Sequence, residues 1–102
     1  MKPSRPFRDD LIELLKDPRE ACAYLNAALE EGDRRIFLEA LHEVAEAAGG
    51  MSALSRQSRL HRVNLYRILS KKGNPEIQSL ESILKAFGLR LAVVENKPRR
   101  AA

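Results

Sequence analysis

Along most of this chain the apolar residues recur every three or four positions, the interval that gathers them on one side of a helix. In "KDPREACAYLNAALEEGD" Ala21, Leu25, Ala28 and Leu29 form such a stripe. Asp17 stands where a helix N-cap belongs, Pro18 at the first helical position and Glu20 at the acid of a capping box, while Gly32 ends the run. Asp33 predicts a second cap. After it Phe37, Ala40, Leu41, Val44, Ala45 and Ala48 keep helical spacing until Gly49-Gly50, which makes this the candidate central strut of the core. A shorter element over about 8–15 precedes both, with Leu11, Ile12, Leu14 and Leu15 as its apolar side.

Two short helices follow, about 51–58 and 62–70, with only "RLH" between them. The loop "KKGNPEIQ" holds Gly and Asn-Pro, which favour non-helical backbone. Ser79 is the expected cap of a last helix bearing Leu80, Ile83, Leu84 and Phe87, stopped by Gly88. "LRLAVVE" then has an extended character, with Leu89, Leu91 and Val93 on one face. The pattern predicts an all-α fold of five to six helices with a short C-terminal β-strand. Its expected divisions are a flexible arm at 1–7, acidic helices at 8–50, the paired short helices and their support at 51–88, a strand at 89–95 and a basic tail at 96–102. At 102 residues all of these belong to one compact domain.

Charge changes this picture more than composition does. Residues 9–46 hold eleven acids and four bases, a net of −7, so the remainder carries +11. From Ala47 to Pro75 there are six cations (Arg56, Arg59, Arg62, Arg67, Lys71 and Lys72) and no Asp or Glu. A division this sharp predicts two surfaces with different partners. The bulk composition is that of a soluble protein, and no apolar run is long enough to span a bilayer. The N-terminal "MKPSRPFRDD" has no apolar segment of a secretory signal, and Cys22 is the single cysteine; both fit a reducing cytoplasm.

Two short helices joined by three residues and braced by others describe a helix-turn-helix. On the second, helical phase places Leu65, Ile68 and Leu69 inward with His61, and Val63, Tyr66, Arg67 and Ser70 outward, with Arg62 at the shoulder. Duplex DNA carries one negative charge per roughly 1.7 Å of axis, so a carboxylate on that outward side is repelled. The expected base contacts are Arg62, Val63, Tyr66 and Arg67. Arginine matches guanine O6 and N7, and valine can meet a thymine methyl. The expected phosphate contacts are Ser52, Arg56, His61, Asn64, Ser70, Lys71, Lys72 and Asn74. Arg59 occupies the turn, where glycine accommodates a left-handed backbone more easily.

"GGMSALSRQSRLHRVNLYRILSKKGNPEIQSLESILKAFGLRLAV" resembles the Xre-type helix-turn-helix of phage repressors. With the upstream "LKDPREACAYLNAALEEGDRRIFLEALHEVAEAAGGMSALS", the chain from about Leu15 to Val94 is more narrowly similar to bacterial addiction-module antidote proteins. The motifs "GGMSAL", "LYRILSKKGNP" and "LESILKAFGLRL", with the "DP", "YLNAAL" and "EGD" of the second element, carry this together. The resemblance implies a lambda-repressor-like helix-turn-helix domain that represses its own operon. It also implies an antitoxin of a type II toxin-antitoxin module, binding a small basic toxin related to messenger-RNA ribonucleases. His61 and Arg62 replace small polar residues of that pattern and Arg59 replaces a glycine, which bears on operator sequence rather than on fold. The rival reading is a stand-alone Xre-type repressor with no toxin partner.

On the resemblance, the acidic half becomes a candidate toxin surface, with Asp9, Asp10, Glu13, Glu30, Glu31, Glu39 and Glu43 as its members; the plain alternative is that these acids only solubilise the first helices. A lone strand needs a partner for its backbone, so Leu89, Leu91, Val93 and Val94 are the expected homodimer interface. No enzyme, metal or cofactor is expected. His42 and His61 lack neighbours at metal-ligand spacing, adjacent Glu30 and Glu31 do not converge on one substrate, and Gly49-Gly50 closes a helix instead of opening a phosphate loop.

Overall fold

The computed structural model describes residues 5–70 and 72–96. Among them are six helices and no strand: α1 (Arg5–Leu14), α2 (Pro18–Glu30), α3 (Arg34–Ala47), α4 (Met51–Ser58), α5 (Arg62–Ile68) and α6 (Ile77–Ala86). Local chemistry explains most boundaries. The Asp17 side chain accepts from the Arg19 amide at 2.9 Å and Asp33 from the Arg35 amide at 2.9 Å, so both expected caps form. Two helices end in the same six-residue closure. Gly88 N–H donates to Lys85 O and Leu89 N–H to Leu84 O; Gly49 and Gly50 do the same to Glu46 O and Ala45 O. Gly88 and Gly49 take φ of +82° and +111°, the left-handed backbone this closure needs.

The helices α1, α2 and α4 all pack on α3, and α4 also packs on α5 and α6. Leu38 and Leu41 of α3, Leu54 of α4, Leu65 of α5 and Ile83 of α6 are completely enclosed. Because α3 has neighbours on several sides, its buried arc is wider than one stripe and takes in Leu38 and Ala47. Ala48, expected inside, is exposed, since it is the C-cap and has left helical phase. Leu29 is also exposed. It lies one position past Ala28, a turn of about 100° off the face toward α3. In α1 Leu14 is exposed, whereas Leu15, just beyond the helix, is buried.

Three further expectations are corrected. Helix α6 starts at Ile77 rather than at a Ser79 cap, because Leu80 N–H already donates to Glu76 O at 2.9 Å just after Pro75. His61 is exposed instead of facing inward. It is the N-cap of α5 with extended backbone, so helical phase does not govern it. The expected strand over 89–95 does not form. None of the described residues there takes part in a strand, and Leu91, Val93 and Val94 are all exposed. Leu89, by contrast, is half-buried against the core. No helix among the described residues is long and apolar enough to cross a membrane.

Candidate nucleic-acid interface

The turn between α4 and α5 is built from two serines. Arg59 is the C-cap of α4, with φ 65° and ψ 23°, a left-handed geometry that no other described non-glycine residue adopts. That reversal brings the Leu60 peptide over the end of α4. There the Leu60 amide donates to Ser58 Oγ at 3.2 Å, and Ser55 Oγ donates to Leu60 O at 2.5 Å. Both polar groups of Leu60 are thereby satisfied while its side chain packs partly on the core. Sequence reading missed both serines. Their signal was a pair of hydroxyls in the last turn of a short helix, where such side chains compete for backbone groups.

From this turn α5 emerges with two unlike sides. Leu65, Ile68 and the C-cap Leu69 are buried, whereas Val63 is 82% exposed and Tyr66 50%. Arg62 and Arg67 are exposed beside them. The outward side therefore joins two cations, a phenol and an isopropyl group, and α5 contains no carboxylate. Arg67 Nη2 donates to Asn64 Oδ1, and Ser70 Oγ donates to Arg67 O at 2.8 Å.

A groove of about 440 Å³ continues from this side, lined among others by Asn64, Arg67, Ser70, Lys72, Asn74 and Ser79. Gly73 forms its floor. A Cβ there would sit 1.8 Å from Ile68 O, so only glycine lets the loop approach α5 this closely. Of the expected phosphate contacts, Ser52, Arg56, His61, Ser70, Lys72 and Asn74 are exposed and Asn64 is half-buried. Lys71 lies outside the described residues.

The acidic half is organised differently. Arg8 pairs with Glu46 and, at 3.7 Å, with Glu43, which also accepts from the Tyr24 hydroxyl. These contacts tie α1, α2 and α3 together and occupy the Glu43 carboxylate. Burial, then the hydrogen bond to Glu43, push the Tyr24 hydroxyl well above the ordinary phenol range. Asp33 is held below the usual carboxylate value by the Arg35 side chain first and its amide second. Asp9, Asp10, Glu13, Glu30, Glu31 and Glu39 are exposed, with Glu13 paired to Lys16 at 3.0 Å. Glu39 lies beside Ile36 between two shallow grooves of about 500 and 490 Å³. No group of three or more His, Cys, Asp or Glu residues among the described positions could hold a metal ion.

These features define a class first: a small all-helical protein with a basic, carboxylate-free helix and, before it in the chain, acidic helices. The family model described as "Probable addiction module antidote protein" matches residues 7–95, and the chain belongs to that family. Membership implies a cognate toxin partner and points to a regulatory rather than a catalytic role. An uncharacterized protein of Haemophilus influenzae (strain ATCC 51907 / DSM 11121 / KW20 / Rd) is 33% identical over 88 residues, 86% of this chain and 90% of the relative. No solved structure gives a significant match.

Proposed function

We propose that this antidote binds operator DNA as a helix-turn-helix protein, with α4 and α5 as its two helices and α5 in the major groove. It thereby represses its own operon and, as the antitoxin of a type II module, neutralises a small basic ribonuclease-type toxin in the bacterial cytoplasm. The observation that carries the DNA half is the outward side of α5, where Val63, Tyr66 and Arg67 are exposed over an enclosed Leu65. Arg62 and Arg67 serve base edges, with Val63 and Tyr66 between them. Arg56, Lys72 and Asn74 hold phosphates and set the register. Two copies joined through Leu91, Val93 and Val94, with Leu89 at the edge of the contact, present two such helices to half-sites about one turn apart.

The exposed acids Glu30, Glu31 and Glu39 support a basic partner, chiefly by steering its approach. Glu43 serves the fold instead. The test is direct: purified chain titrated against duplex containing the upstream region of its own operon, at several salt concentrations. Binding that weakens linearly in log salt is expected; no binding in dilute buffer would overturn the DNA half. Co-purification of a small basic product from the adjacent reading frame tests the toxin half, and charge reversal of Glu30, Glu31 and Glu39 should slow its association at low salt.

A further inference from the structure

We infer that Asn64 sets the base preference of the proposed interface by holding the Arg67 guanidinium, not by touching DNA itself. This rests on the DNA-binding reading of α5. Asn64 and Arg67 are three residues apart on one helix, a spacing at which side chains meet. Asn64 is half-buried, Arg67 is exposed, and both line the same groove. Arg67 Nη2 donates to Asn64 Oδ1, which commits one of five guanidinium N–H groups and leaves four for a base edge.

The same contact ties up one of the two lone pairs of Asn64 Oδ1 and holds the half-buried amide toward the guanidinium rather than toward a base. An asparagine recognises adenine by accepting from its amino group through Oδ1, an atom that Arg67 already shares. The backbone end of Arg67 is fixed as well, since both the hydroxyl and the amide of Ser70 donate to its carbonyl. Among the described residues, Arg67 is the one cation of the 47–75 stretch whose side chain is hydrogen-bonded. An arginine held in one orientation discriminates guanine; a swinging one serves any phosphate. Asn64 is therefore a positioning residue, and the operator carries guanine at the position facing Arg67.

The experiment begins with a duplex selected from a randomised pool by the wild-type chain. Binding to every single-base variant is then measured for wild type, Arg67→Ala, Asn64→Ala, the double variant and Asn64→Asp, each shown folded by its melting curve. Asn64→Ala is expected to lower guanine preference about tenfold at the same position as Arg67→Ala, and to add less than about twofold once Arg67 is gone. Asn64→Asp keeps the preference, because a carboxylate still accepts from the guanidinium, while binding to all duplexes weakens through phosphate repulsion. An Asn64→Ala effect that is undiminished without Arg67, or that falls on another base pair, overturns the inference while leaving DNA binding intact. A wild-type chain that binds no duplex at low salt overturns the DNA reading, and this inference with it.

Discussion

The α-carbon of Gly73 lies against the Ile68 carbonyl, so that a β-carbon would stand 1.8 Å from the oxygen. The Gly73 amide also donates to Ser70 O at 2.8 Å, which locks the loop onto the end of α5. The obstacle is backbone, not a flexible side chain, and neither part can yield cheaply. Gly73→Ala should lose about 2–3 kcal/mol of stability, at the upper end of overpacking costs, in urea unfolding. Wild-type stability in that variant would refute the close approach.

Arg59 presents the opposite case, a residue tolerated where glycine belongs. A left-handed backbone costs a residue with a β-carbon roughly 1–2 kcal/mol, and glycine's greater unfolded freedom returns part of that. Arg59→Gly should therefore raise stability by about 0.5–1 kcal/mol, read as a higher melting temperature. A lower one would mean that the Arg59 side chain contributes more than its backbone costs.

The two kinds of DNA contact separate by substitution. Arg67→Ala should cost about 1–3 kcal/mol on the preferred duplex and little on random sequence. Lys72→Ala should weaken all duplexes alike and reduce the salt slope by about one. Identical profiles for the two variants would assign Arg67 to the phosphates.

Tyr24 makes stability pH-dependent at the alkaline end. Its folded pKa is raised, so the folded state holds the phenolic proton longer than the unfolded chain does. The resulting stabilisation is complete below the unfolded value of about 10 and is lost as pH rises from there toward the folded value. Tyr24→Phe should remove this decline; the difference between the two proteins in thermal melts from pH 8 to 11 isolates it from lysine titration. A parallel decline in both would refute the Tyr24 assignment.

Val93 and Val94 are 98% and 83% exposed in a segment that forms no strand among the described residues. If two copies pair there, Val93→Asp should shift the chain from dimer to monomer in light scattering at micromolar concentration, with α-helical content unchanged. A wild-type monomer at that concentration would exclude this interface.

Helix existence was legible because it is set by residues close together. Asp17, Asp33, Gly49 and Gly88 mark boundaries through contacts within six residues, and all four mark them in the structure. The α6 start was misread because Ser79 looked like a cap, while Pro75 had already set up the turn at Glu76. Leu38 was left out of the buried stripe and Leu29 put into one, because the width and direction of a buried arc depend on where a helix has neighbours. Periodicity alone does not carry that information.

By itself the sequence determined five to six helical segments, the separation of acidic from basic stretches and the two-sided character of α5, all consequences of spacing and charge along one strand of chain. Tertiary structure decided what each polar group is for. Glu43 of α3 belongs to Arg8 of α1 and Tyr24 of α2. The physical reason is that hydrogen bonds and close approaches act over about 3 Å, and only the packed chain brings groups from different elements within that range.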